Sequence, residues 1–330
     1  MTNTSADAGP SSEFTFELVT CRWAEREWPP DGPRADAALV ARQVGTRKRR
    51  WDTLVVEADA AGLRERDRLG SEELDSDLLH VVRHAPAEWA WYRDGLPHPG
   101  YPWRYVREAV HRAAARGVVE TRRRGNRIEL RRVAPYPDWV SRIVAIENKP
   151  DLDASAARAL AAQIQYDVDC GLLDEVWVAT RATDDAVPAV LLEEFPVEAG
   201  VLALDPASGT MEVLWHPSRL SSSGEDSADR RRVIAERAYG RGWRSYVDTM
   251  RPDCRHFELT EVGGAFVPYC AAKGRCQTGA ECAGSCTAFE PEPPGWRTRG
   301  WPIEGGPGKG VRRVLARRRD RVRERERERE

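Results

Sequence analysis

Apolar positions along the chain fall into short blocks whose period switches between helical and strand-like. Residues 14–28 (FTFELVTCRWAEREW) set Phe14, Leu18, Cys21 and Trp28 near helical spacing, and Pro29-Pro30 stops the helix. Residues 35–44 (ADAALVARQV) suit either a helix or an extended run. In 49–59 (RRWDTLVVEAD) a β-branched apolar centre bounded by charge predicts a strand with Asp52 near its start. Residues 61–135 read as helix, helix, helix, hairpin, with helices over Ser71–His84 and Trp103–Arg116. Gly125-Asn126 between alternating runs marks the hairpin turn. Residues 142–152 (RIVAIENKPDL) predict a strand broken by Pro150, 152–171 an alanine-rich helix ending at Gly171, and 174–180 (DEVWVAT) a buried strand. The runs 189–195 and 200–205 extend the sheet.

These patterns predict an α/β fold with a mixed central sheet. The expected divisions are a disordered tail (1–13), a core (14–60 and 136–217), an inserted module (61–135), a linker (218–230), a helix plus cysteine-rich segment (231–300) and a charged low-complexity tail (301–330). The length of 330 residues supports about two domains at roughly 150 each, and 41% hydrophobic residues supply a core. Fifty-one basic and 53 acidic residues leave a net charge of −2, so any functional charge is local. No apolar stretch approaches the ~18 residues of a membrane span, and the first fifteen residues lack the features of a secretory signal. A soluble, cytoplasmic protein with no membrane partner is expected.

Only Lys48, Lys149, Lys273 and Lys309 are lysines, so each is mildly informative. VAIENK emits Glu147 and Lys149 two positions apart, on one face of a strand end. With Asp52 from another strand, Glu147 could hold Mg²⁺ or Mn²⁺, the Asn148 carbonyl could add an oxygen, and Lys149 could orient water or offset phosphoryl charge. The bland alternative is a surface Glu/Lys pair. The order of aspartate strand, acid-x-lysine strand, helix with Gln163 and Tyr166, and DEVWVAT strand resembles the PD-(D/E)XK nucleases over about 14–59 and 140–205. That resemblance implies a nuclease core acting on DNA in repair, recombination or foreign-DNA processing, with a helicase or repair partner. In its RecB-like and Cas4-like branches the helix carries Gln-x-x-x-Tyr; here Gln163 and Tyr166 are one residue closer. The gap between Asp52 and Glu147 requires the inserted module, and Glu17 is a further acidic candidate. The whole chain also resembles an uncharacterised domain-of-unknown-function family of halophilic archaea, which implies a salty cytoplasm.

The inserted module reads as a winged helix. From 104 to 132, ten arginines against three glutamates give a local +7. Arg104, Arg107, Arg112, Arg122, Arg123, Arg124 and Arg127 are the candidate phosphate contacts. Solvated arginines or a protein-docking wing are the alternatives, and a noncatalytic DNA-binding regulator is the alternative for the whole chain.

Five of the seven cysteines lie between 254 and 286, a pattern that favours metal over disulfides in a chain without an export signal. Cys270, Cys276, Cys282 and Cys286 alone could hold a structural Zn²⁺. Resemblance to Cas4-like and AddB-type nucleases instead implies a [4Fe–4S] cluster joining Cys21 to three of them, and reduced thiols are a third reading. Cys170 reads as a core residue, and Cys254 as a spare or a ligand.

Overall fold

A computed structural model of the chain describes residues 13–98, 100–152, 154–182, 195–221, 225–248, 250–251, 254–282 and 285–291. The N-terminal tail but for Glu13, most of the run 189–195 and the C-terminal tail lie outside the described residues. The chain divides into two compact units. One is built from residues 20–205 and 210–243, the other from the described residues of 13–19, 206–209 and 244–291.

In chain order the elements of the larger unit begin with helix α1 (Glu13–Glu27), whose first residues count with the smaller unit. Strands β1 (Ala37–Gly45) and β2 (Arg50–Ala58) follow, then helices α2 (Ala60–Asp67) and α3 (Ser76–His84). Next come β3 (Ala90–Trp91), the short helix α4 (Tyr92–Gly95), α5 (Trp103–Ala115) and the hairpin β4 (Val119–Arg124) and β5 (Arg127–Arg132). The unit closes with β6 (Val140–Asn148), α6 (Ala154–Asp169), β7 (Glu175–Arg181), β8 (Gly200–Asp205), β9 (Thr210–Trp215) and α7 (Glu225–Arg241).

Six described strands form one mixed sheet in the order β1-β2-β6-β7-β8-β9. The ambiguous run 35–44 is a strand: Ala41 faces Leu54 and Val40 faces Val55 in antiparallel register. β2 and β6 are antiparallel neighbours, whereas β6-α6-β7 is a parallel crossover, so β6 is the strand at which direction changes. Both central strands are buried through their middles, which is why Leu54-Val55-Val56 and Ile143-Val144-Ala145-Ile146 read as continuous apolar runs.

Residues 61–135 carry a core of their own, with Leu74, Leu78, Val81, Val82, Val106, Val110 and Leu130 at its centre. Its small sheet has the order β3-β5-β4, and Gly125 at the β4–β5 turn adopts φ 60, as the first position of such a hairpin loop demands. The segment leaves β2 and returns to β6 side by side, since Asp59 N donates to Trp139 O at 2.9 Å. Gly62 is required there: a Cβ would stand 2.8 Å from Asp138 O and 2.9 Å from Trp139 Cα.

A buried ion pair fastens this segment to α7. Arg66 and Glu236 are wholly buried and joined by two hydrogen bonds of 2.6 Å. Tyr136 Oη and Leu74 N also donate to Glu236, while the Arg66 guanidinium donates to Gly70 O and Glu72 O and lies 4.2 Å from the Tyr239 ring centroid. Every charge is thereby met by partners, the condition under which a buried pair is tolerated.

Three expected boundaries are corrected. The helix expected from Ser71 starts at Ser76, where Asp75 accepts from Asp77 N and Leu78 N as its cap. The expected linker 218–230 contains the start of α7 at Glu225, and the helix placed over 231–250 ends at Arg241 before a 3-10 turn, Trp243–Asp248. The residues that bury α7, Ile234, Ala235 and Ala238, come only in its second half, so its first turns carry no apolar signal.

The smaller unit is organised by the hairpin β10 (Phe257–Val262) and β11 (Ala265–Cys270), with β12 (Arg275–Cys276) beside β11. Ala265, Val267 and Pro268 are its buried strand residues, and Tyr246 Oη donates to Phe266 O at 3.1 Å.

Replacing Arg66 with methionine, or Glu236 with leucine, strands a charge and should cost about 3–5 kcal/mol in urea unfolding. The double replacement should cost less than the sum of the singles; strictly additive losses would show that the pair is not coupled.

Candidate functional site

The site grows from the register of β2 against β6. Thr53 pairs with Ile146, so the next residues outward, Asp52 and Glu147, come side by side on one face. Asp52 Oδ2 accepts from Asn148 N at 3.1 Å, and Gln43 Nε2 donates to Asp52 Oδ1 at 2.9 Å. Gln43 stands opposite Asp52 in β1 with φ 55, a left-handed conformation that costs a non-glycine residue on the order of 1 kcal/mol and recurs at functional sites.

Glu147 is 3% exposed. Gln163 Nε2 of α6 donates to its Oε2 at 2.7 Å, and Arg49, at the end of the β1–β2 turn, donates to its Oε1. One helical turn beyond Gln163, on the same face, Asp167 accepts from Arg49 through both oxygens at 2.8–3.1 Å and from Trp51 Nε1 at 2.8 Å. Two carboxylates thus share a single guanidinium, and a third, Asp52, stands beside Glu147. Burial first, then the charges of Asp52 and Asp167, push Glu147 up to about 8 despite Arg49. Asp167 is raised as well, mainly by burial. Burial opposes the charge of Arg49, but its bonds to Asp167 and Glu147 outweigh that and raise it.

Of the sequence candidates, Asp52, Glu147 and Gln163 therefore converge. Lys149 is half-buried just past the end of β6, with its amide bonded to Ala179 O at 2.8 Å. Tyr166 is 40% exposed. The Asn148 side chain turns to the opposite face, donating to Thr53 Oγ1, and the fully buried Cys21 thiol lies 3.3 Å from the same oxygen. Glu17 is buried and belongs to the smaller unit. Sequence reasoning missed Gln43, Arg49 and Asp167. Only Asp167 left a readable trace, its i+4 spacing from Gln163.

The arginines line a groove of about 850 Å³ between α5 and β4, bounded by Arg104, Arg107, His111, Arg112, Arg122 and Arg123. Several are already engaged. Arg112 pairs with Asp75 at 2.5 Å, Arg122 with Glu129 at 2.6 Å, and Arg124 with Glu129 at 3.6 Å. Arg104 donates to Tyr105 Oη, and Arg127 lies over the Trp91 ring. Among the described residues Arg104, Arg107, Arg123 and Arg127 have no acidic partner, so the free positive charge is smaller than the sequence count implies.

Cys170 is half-buried and donates to Asp167 O. In the smaller unit Cys254, Cys270, Cys282 and Cys286 line one cavity, while Cys276 sits on β12 opposite Tyr269. Among the described residues no three His, Cys, Asp or Glu side chains form a group able to hold a metal ion as they stand. No helix among the described residues is long and apolar enough to cross a membrane.

A family model described as a family of unknown function, DUF5787, matches residues 39–291. The chain belongs to DUF5787. The DUF5787 match runs from β1 to the cysteine-rich segment and so contains Asp52, Glu147, Asp167 and the four cavity cysteines. No curated protein and no solved structure matches the chain.

Because Glu147 holds its proton more tightly in the folded than in the unfolded chain, the metal-free protein should lose stability as pH rises from 4.5 towards about 8. Glu147→Gln should flatten that part of the pH profile of urea unfolding. An unchanged profile in the variant would place the titration elsewhere.

Proposed function

We propose that this DUF5787 protein hydrolyses DNA phosphodiester bonds with the aid of a divalent cation. The core would be of PD-(D/E)XK type, and residues 61–135 would serve as a winged-helix module that grips DNA. The observation that supports this reading is the meeting of Asp52 and Glu147 on neighbouring strands, with Gln163 and Asp167 brought in by the crossover helix. A carboxylate pushed up to about 8, first by burial and then by the charges of Asp52 and Asp167, sits where a cation would be favourable. Mg²⁺ is commonly held by one or two carboxylates with its own waters, so Asp52 and Glu147 suffice as protein ligands.

When bound, Mg²⁺ or Mn²⁺ supplies charge stabilisation to a phosphoryl oxygen and acidifies water. The chain does the rest. Gln163 fixes the Glu147 carboxylate, Gln43 and the Asn148 amide fix Asp52, and Lys149 would offset charge near the end of β6. Arg107 and Arg123 on the groove would hold the phosphate backbone without reading sequence.

Arg49 favours a second reading. Its guanidinium already neutralises Glu147 and Asp167. A site stabilised by its own cation fits a noncatalytic DNA-binding protein on the same scaffold.

Purified full-length protein incubated with linear and circular DNA should cleave it in Mg²⁺ or Mn²⁺ and not in EDTA. Asp52→Asn and Glu147→Gln should lower the rate by about 100-fold or more while leaving DNA binding intact. Binding with no cleavage under either cation would establish the noncatalytic reading instead. Arg107→Ala with Arg123→Ala should reduce the salt slope of binding by up to about 2, and an unchanged slope would move the DNA off this groove.

A further inference from the structure

Within the smaller unit the segment 254–291 has little apolar material of its own. Its described buried strand residues are Ala265, Val267 and Pro268, and β12 is two residues long. A segment this small rarely holds a defined fold by its own burial and is well served by a cross-link of another kind. Its cysteines are free thiols.

Four of them come from separate places in the segment and face one enclosed space. Cys254 precedes β10, Cys270 ends β11, and Cys282 and Cys286 lie in the loop after β12. The cavity they line is about 20 Å³, room for about one water-sized body, and its other walls include Phe257, Ala288 and Phe289. All four line this one cavity, whereas Cys276 does not.

Donors and cations surround the cavity. Backbone amides are aimed at two sulfurs: Arg251 N donates to Cys282 Sγ and Glu290 N to Cys254 Sγ, both at 3.4 Å. Arg251, His256 and Lys273 line the same cavity against the single acid Glu281, which offsets the negative charge that four thiolates leave on a divalent ion. Lys273 is one of the few lysines in a chain that otherwise uses arginine, and its ammonium is held over the site by Gln277 Oε1 at 2.9 Å and Glu281 O at 3.2 Å.

We propose that Cys254, Cys270, Cys282 and Cys286 are the four ligands of one thiolate metal centre that holds the smaller unit together. Cys276 and Cys21 are not ligands. Cys276 is on β12 outside the cavity lining, and Cys21 is buried against Thr53 within the larger unit. The occupant is a thiophilic metal, either a zinc ion or an iron–sulfur cluster; the sulfurs line one cavity but are not at ligand spacing as they stand, so either one draws them into place. This centre does not depend on the nuclease reading, and its test uses no DNA.

Full-length protein is purified with and without oxygen excluded, and its zinc, iron and acid-labile sulfide are measured beside X-ray absorption at the metal edge. The expected result is a metal whose protein ligands are four sulfurs, at about 2.3 Å if it is zinc. Zinc without iron identifies the single ion, and iron with sulfide the cluster; either supports the centre. Cys21→Ser and Cys276→Ser should keep the full metal content. Cys254→His, which preserves a ligand and so guards against simple unfolding, should change the shell to three sulfurs and one nitrogen if zinc is bound, or shift the cluster's spectrum if iron is bound. Metal-free protein from both preparations, loss of metal in Cys21→Ser or Cys276→Ser, or an unchanged metal spectrum in Cys254→His would each overturn the assignment.

Discussion

The antiparallel pairing of β2 with β6 is the constraint on which the candidate site depends. Thr53 opposite Ile146 fixes where Asp52 and Glu147 must stand, and a slip of one residue would send every side chain of one strand to the other face. Continuous apolar runs on both strands and the Arg142–Glu57 pair that crosses between them hold the register. Once it is set, three carboxylates occupy one corner of the sheet. Arg49 is the cation that lets Glu147 and Asp167 be buried together, with the Glu147 carboxyl still pushed up to about 8. Folding therefore builds a corner that is stable enough to persist and electrostatically unfinished.

The long segment between these two strands does not loosen them, because it departs and returns at one point. The Asp59–Trp139 bond closes its neck, and the Arg66–Glu236 pair ties it to α7. That helix also packs on the main core through Ile234, Ala235 and Ala238. A rigid attachment of this kind gives the arginine groove a fixed place within the larger unit, which a flexible tether would not.

The strands bearing Asp52, Glu147 and the DEVWVAT run were legible because buried central strands are written as short β-branched blocks. The helix after Lys149 was legible because alanines at helical spacing end in Gly171. What could not be read came from two sources. Arg49 and Gln43 join the site through a tight turn and a left-handed residue, and neither leaves a periodic mark in sequence. The arginine count overstated the free charge because Asp75 on α3 and Glu129 on β5 reach Arg112 and Arg122 in space. Which cysteines line one cavity could not be read from spacing for a similar reason: Cys254 is distant in sequence from Cys282, and the β10–β11 hairpin lies between the two.

The central claim is that the Asp52–Glu147 corner is a divalent cation site. Electron paramagnetic resonance of the full chain titrated with Mn²⁺ tests it without reference to any substrate. The account predicts saturable binding of about one Mn²⁺ at this corner, lost in Asp52→Asn and competed by Mg²⁺. Mn²⁺ binding that is absent, or that is unchanged in Asp52→Asn, would contradict it and leave Arg49 as the only cation the corner holds.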